Sequence, residues 1–392
     1  MTSATIPESV WSVAKTAFAN CAALTDIYYG GSKMDWDSSK VELGSNVTVH
    51  CANLGSGKCG NELNWLLDND GTMTISGSGP MVDRTSSNYT SASWHRCRAE
   101  IQSVVMEPGA TAIGAYAFYN CTALTSVTVP SSVTQIGANA FSGCGALTDV
   151  FYDGSRLQWD SLGAELGSNV TIHCTDLGSG TCGENLTWQL SNDGILTISG
   201  SGNMTDYSQT YRNGIYTVDT PWYPYREQIT SVVLESGVTS IGSAAFFQCG
   251  MRSVTIPDGV TSIGDWALSY CNNLPSITIP ASVTSIGGWD IYTCAALTDI
   301  YYGGSLMQWD SFAVGDGEGK TVHCANVGSG TCGGSVTWLL DNEGTLTISG
   351  SGAMTNYSYG THAPWYNYRS LSKTAVLESG VTSIGNLALY NC

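Results

Sequence analysis

Short alternations of apolar and polar residues recur along the chain at a nearly fixed interval, and each predicts a half-buried strand. Val127 and Val129 alternate with Ser126 and Thr128, the period-two sign of a strand with one face inside. Pro130 ends that strand because it cannot donate to a ladder. Val133 and Ile136 form a second short apolar segment closed by Gly137. Phe141 and Cys144 are placed to cap the next turn from inside. The run from Ala117 through Phe118 and Cys121 to Leu124 returns as Ala140, Phe141, Cys144 and Leu147, so Cys121 and Cys144 hold the same place in successive units. Cys249, Cys271 and Cys294 mark further copies at steps of 22 and 23, and partial copies lie at 18–24 and 381–392. One such unit cannot bury its apolar side alone, whereas stacked copies can, with strands about 4.8 Å apart.

A longer period overlies the first. Trp36, Trp159 and Trp309 sit in equivalent Trp-Asp segments, the second step longer than the first by one added unit. Each is followed by a different module, opening at Cys59-Gly60, Cys182-Gly183 and Cys332-Gly333. In the second copy Trp188 alternates with Leu190, and Leu196 with Ile198, around Asn192-Asp193-Gly194. This pattern predicts a β-hairpin, with matching turns at Asp68 to Gly71 and Asp341 to Gly344. A looser stretch follows, then Trp222-Tyr223-Pro224-Tyr225-Arg226 and Trp365-Tyr366-Asn367-Tyr368-Arg369. The first copy departs from this with Trp94-His95-Arg96-Cys97-Arg98. The expected organisation is mainly β: repeat units of this spacing at 1–52, 99–175, 227–325 and 370–392, interrupted by hairpin modules at 53–98, 176–226 and 326–369.

Composition narrows the function classes. Among 392 residues, 14 Lys and Arg stand against 32 Asp and Glu, a formal charge of −18. Phosphate backbones and anionic membrane faces repel such a surface, so neither nucleic acid nor a membrane is an expected partner. No apolar run approaches a membrane span. The first residues lack the basic and apolar regions of a signal peptide and read as the middle of a repeat, as do the last. A piece of a longer exported chain is therefore expected.

The unit Ala-Phe-x-x-Cys-x-x-Leu-Thr-Ser-Val-Thr-Ile-Pro-x-x-Val-Thr-Ser-Ile-Gly, followed closely from Ala245 to Gly264 and from Ala117 to Gly137, resembles the BspA-like class of leucine-rich repeats. The resemblance covers more than half of the chain. It implies a leucine-rich repeat solenoid in a bacterial surface or secreted protein, some relatives being adhesins for host matrix proteins. It brings no shared catalytic residues.

Candidate chemistry is weighed against architecture. The seven unit cysteines fit the role of small buried hydrophobes. Cys51 and Cys59, Cys174 and Cys182, and Cys324 and Cys332 are three equivalently spaced pairs. In an exported protein each pair is either a disulfide or two thiols. His50, His173 and His323 precede these pairs, but the spacing matches no usual zinc pattern. No cofactor is expected, and a feature copied in every cassette is more often architectural than catalytic. The Asp-rich turns lack the bidentate Glu of an EF-hand loop. The binding candidates are the aromatic clusters Trp222, Tyr223, Tyr225 and Arg226, and Trp365, Tyr366, Tyr368 and Arg369. Exposed, they would hold a protein or glycan. The competing expectation is that they plug the hairpin against the first repeat unit. The function expected is non-catalytic adhesion, to a protein or glycan of a host or neighbouring cell. The alternative is a passive stalk, favoured if Trp222 and Trp365 are buried.

Overall fold

A computed structural model describes residues 1–288, 291, 293–312, 314 and 319–392. The chain forms two compact units, Met1–Gly178 and Ser179–Cys392.

In the first unit the strands Ser3–Ile6, Asp26–Ser32 and Thr48–Asn53 run parallel. The helix Lys33–Ser39 then tucks Trp36 inward, capped by the Ser32 hydroxyl. An antiparallel hairpin follows from Glu62–Leu67 and Thr72–Pro80, with Trp65 opposite Ile75. Its second strand has a free edge, and the repeat units continue from it. Thr72–Pro80 pairs in parallel with Ser103–Met106, which pairs with Ser126–Pro130, then Asp149–Ser155, then Thr171–Asp176. The far end of Thr72–Pro80 starts a second parallel rail through Ala110–Ile113 and Gln135–Ile136. The hairpin therefore nucleates both rails of the repeat stack.

The second unit repeats this logic. The hairpin of Leu186–Leu190 and Ile195–Gly200 passes in parallel to Ser231–Leu234 and Ser253–Thr255. A second rail runs through Gly202–Asn203, Val238–Ile241, Ser262–Ile263 and Ser285–Ile286. Ser276–Ile279, Asp299–Ser305 and Thr321–Asn326 form a parallel trio. The hairpin of Val336–Leu340 and Thr345–Gly350 then leads to Thr374–Leu377. The looser stretch of the second cassette contains a further hairpin, Gln209–Arg212 with Ile215–Val218. Its turn, Asn213-Gly214, has both residues at positive φ, as a tight hairpin turn requires.

Strand alternation becomes burial directly. In Ser126–Pro130, Val127 and Val129 are fully buried while Ser126 and Thr128 stay half-exposed. The repeat turns have their own chemistry. The residue before the unit cysteine is left-handed at Asn20, Asn120, Gly143, Gln248, Tyr270 and Asn391. Asn and Gly tolerate this conformation best, which accounts for the recurring Asn-Cys pair. The cysteines are more than filler. Cys144 Sγ donates to Phe118 O, Cys271 to Phe246 O and Cys294 to Leu268 O, each at 3.1 Å. Each thiol thus satisfies a carbonyl of the preceding unit, tying neighbouring turns together.

Candidate functional site

The module tryptophans lie inside. Trp222 is 0% and Trp365 1% exposed. Their indole nitrogens donate to Ala245 O at 2.8 Å and Ala388 O at 3.1 Å, and Trp94 donates in the same way to Ala117 O. Trp222 stacks on Phe246 at 6.0 Å between centroids, and Trp94 on Phe118, which itself stacks on Phe141. Trp94 and Trp222 therefore serve as the rung before the first repeat phenylalanine, and Trp365 is tied to its repeat unit through Ala388. Edge-on contacts to Trp65, Trp188 and Trp338 lock the hairpin to it.

The expectation that Trp222 and Trp365 face a ligand is corrected: a large aromatic beside an unfilled repeat end is drawn into the core by the area it removes from water. Tyr225 is buried with them. Tyr223, Arg226, Tyr366, Tyr368 and Arg369 are half-buried. The Arg226 guanidinium lies over Tyr223 at 4.4 Å and that of Arg369 over Tyr366 at 4.0 Å, and each also bonds that tyrosine's carbonyl. These cations are satisfied within the module.

Of the two alternatives left open for Cys51 and Cys59, Cys174 and Cys182, and Cys324 and Cys332, the structure has the free thiols. Cys51 packs toward the Leu24 and Ile27 core, whereas Cys59 belongs to the core of Leu63 and Trp65. The chain changes layers between them, so the two thiols face different clusters. Burial pushes the thiols of Cys59, Cys174, Cys182 and Cys324 up to about 11.

The Asp-rich turns spend their polar groups on the backbone. Asp68 Oδ1 accepts from the amides of Asp70 and Thr72. Asn69 Nδ2 donates to Cys51 O at 3.0 Å, and Asn342 to Cys324 O at 2.8 Å, which docks each hairpin on the strand before it. Among the described residues no three His, Cys, Asp or Glu side chains converge as metal ligands.

A different set of aromatics is exposed. Tyr28, Phe151 and Tyr301 are 48%, 44% and 46% exposed on the outer face of the parallel strands. Each stands directly opposite a histidine on the next strand: His50, His173 and His323. The rings stack at 4.7, 4.6 and 4.7 Å between centroids, 13° from parallel in every copy. Each imidazole is held at its edge by a carboxylate. His50 Nε2 meets Asp26 Oδ1 at 2.9 Å, His173 meets Asp149 at 2.7 Å and His323 meets Asp299 at 2.8 Å. Thr25, Thr148 and Thr298 donate to the other carboxylate oxygen. The imidazole, then the threonine hydroxyl, hold each carboxyl below its usual range.

In the first unit this stack ends an exposed row in cross-strand register, running Leu66, Thr74, Val105, Thr128, Phe151 and His173. A shallow groove floored by Met106, Pro108 and Pro130 runs beside Phe151 and His173. Chemically this is a flat two-ring face with a fixed imidazole edge. With Nε2 given to the carboxylate, Nδ1 is the remaining polar atom of the ring. The threonine hydroxyl is committed to the same carboxylate and is not presented to the imidazole as a nucleophile.

Sequence reasoning singles out these histidines beside the cysteines but misses their partners. The signal is there: Thr-Asp-Ile-Tyr-Tyr or Thr-Asp-Val-Phe-Tyr recurs at the same spacing ahead of the histidine in all three cassettes.

Comparison with known proteins agrees with this architecture. The BspA type leucine rich repeat region is matched by six copies over residues 1–56, 90–178 and 218–320, more than half of the chain. No curated protein matches. Among solved structures, a leucine-rich repeat protein from Eubacterium ventriosum is 23% identical, over 64% of this chain and 72% of that one, with a TM-score of 0.23. A leucine rich cell surface protein from Faecalibacterium prausnitzii is 20% identical over 66% and 97%, with a TM-score of 0.21. A leucine-rich repeat protein from Bacteroides ovatus is 18% identical over 85% and 79%, with a TM-score of 0.24. Among the described residues no helix is long and apolar enough to cross a membrane. With the repeat pattern matched over most of its length and its strands stacked in parallel register, the chain belongs to the BspA-type leucine-rich repeat family.

Proposed function

We propose that the chain is a non-catalytic binding scaffold of a bacterial surface or secreted protein, holding a protein or glycan through the outer face of its parallel strands. The observation that carries this reading is the exposed aromatic–histidine–aspartate stack, built three times with the same geometry. A protein core has no need of a solvent-facing aromatic with an oriented polar edge. Such a face binds weakly at one copy and gains avidity by repetition. The passive stalk is the competing reading, and the burial of Trp222 and Trp365 favours it.

The test is binding of the chain to immobilised matrix proteins, mucins and polysaccharides, beside a Tyr28→Ala, Phe151→Ala, Tyr301→Ala variant shown to be folded. The proposal expects saturable binding by the parent and its loss in the variant. Absence of parental binding on every surface supports the stalk.

A further inference from the structure

One cleft of the first cassette is lined by residues that depart from the other copies. In the third cassette Tyr368, like Leu306 and Met307, packs against the core around Trp338 and Trp365, and its hydroxyl donates to Asp310 Oδ2 at 2.6 Å. Burial, then this bond, pushes the phenol up to about 12. The second cassette has Tyr225 at the same sequence position. The first has Cys97, whose short thiol stays on the Trp94 carbonyl at 3.3 Å and the thioether of Met34 at 3.5 Å. Where a phenol would lie there is instead a cleft of about 680 Å³, within the range of small-molecule sites.

Three other departures of this cassette gather at the same place. Lys40 is left-handed, with φ 51°, at the end of the helix Lys33–Ser39, where the second cassette has Gly163. Arg96 replaces Pro224 and Asn367, and Glu100 replaces Gln228 and Leu371. All three line the cleft. A non-glycine residue in the left-handed region is kept at a cost, so Lys40 is not the neutral choice for that turn. Lys33, also on the rim, is neutralised by Asp37 at 2.6 Å. Among the described residues, the side chains of Lys40, Arg96 and Glu100 make no hydrogen bond or ion pair with the protein. Two unneutralised cations on a chain of charge −18 point to an anionic ligand.

The surroundings narrow its class. Met34 and Leu54 supply an apolar floor, which suits the C–H face of a ring. Asp37 and Glu100 repel a doubly charged phosphate more than a singly charged carboxylate and accept strongly from hydroxyl groups. Arginine matches a planar carboxylate with two parallel bonds. A ring that carries one carboxylate and several hydroxyls satisfies all of these groups together. We propose that this cleft binds the acidic end of a saccharide, a sialic or uronic acid, with its carboxylate on Arg96 and Lys40 and its hydroxyls on Asp37 and Glu100. The assignment rests on the reading of the chain as a binding scaffold, but it uses a different surface from the strand-face stacks.

The test is ligand-observed NMR of the whole chain with the methyl glycosides of N-acetylneuraminic and glucuronic acids, with methyl glucoside and inorganic phosphate as controls. The parent is expected to bind an acidic glycoside with Kd on the order of 1 mM, and the controls at least about tenfold more weakly. Cys97→Tyr, which restores the residue of the other cassettes, is expected to weaken binding at least about tenfold, as is the surface change Arg96→Asn. The Tyr28, Phe151, Tyr301 variant keeps this binding. Unchanged affinity in both Cys97→Tyr and Arg96→Asn overturns the proposal, as does equal affinity for phosphate or no binding of either acidic glycoside. If mucin binding persists while the acidic glycosides fail, only the cleft assignment falls. If the glycosides bind while adhesion fails, the cleft stands without the strand-face reading.

Discussion

Two sets of aromatic residues recur with the cassettes, and they have opposite fates. Trp94, Trp222 and Trp365 end up at or near zero exposure, the first two stacked as an extra rung below the repeat and the third bonded to Ala388. Tyr28, Phe151 and Tyr301 stay nearly half exposed, each paired with a histidine. Recurrence therefore marks structure in one set and leaves surface chemistry in the other. The difference lies in position. The tryptophans follow a hairpin and meet the open end of a repeat stack, where only a large apolar group fills the place of a missing phenylalanine. The tyrosines and Phe151 occupy outward positions of a parallel strand, where alternation turns every second side chain to solvent.

The comparison breaks most readily at the tryptophans. Trp365→Ala removes a buried ring and its bond to Ala388 O, so a loss of roughly 3–5 kcal/mol is expected in denaturant unfolding. A loss below about 0.5 kcal/mol would mean that the ring does not anchor the hairpin to the repeat unit.

Next is the hairpin that positions it. Gly200 has φ 107°, and a Cβ there would run into the Asn185 carbonyl oxygen; Gly77 and Gly350 meet Glu62 and Ser335 in the same way. Gly200→Ala is expected to cost roughly 1–3 kcal/mol, read as a lowered unfolding midpoint. An unchanged midpoint would show that the passage from hairpin to second rail does not depend on this conformation.

The smallest stability effects belong to the exposed set. Tyr301→Ala is expected to change stability by no more than about 0.5 kcal/mol. The Asp299 carboxyl titrates below its usual range because of the His323 hydrogen bond. Its contribution is therefore present above the ordinary carboxylate range and is lost as pH falls through the lowered folded value. His323→Phe keeps a ring on Tyr301 but removes that bond, so the Asp299 titration midpoint, followed by carboxyl NMR, should rise. A midpoint that stays depressed would assign the shift to Thr298 instead.

Repeat units and hairpins are legible in the sequence because period-two alternation, Pro130-type strand ends and Asp-Gly turns each have one local meaning. Val127, Val129, Trp188 and Ile198 all point inward as that alternation requires. Register between units is less legible. Asp26 and His50 are far apart along the chain and meet only because adjacent strands align in parallel. The short helices at Lys33–Ser39, Arg156–Ser161 and Leu306–Trp309 escape the repeat pattern, although Ser155 and Gln158 form a capping box. The Asn213-Gly214 hairpin is likewise hidden beside stronger repeats. Tyr301 is turned outward by the alternation of its own strand, whereas the burial of Trp222 depends on Phe246 of the following unit, which is distant in sequence.

The measurement that bears most directly on the binding claim follows the five histidine imidazoles by NMR while a bound mucin or matrix protein is titrated in. The account predicts that His50, His173 and His323 shift together, whereas His95, bonded to Arg98, and His362, stacked on Tyr366, stay in place. Saturable binding that moves His95 or His362 and leaves the other three unchanged would contradict it.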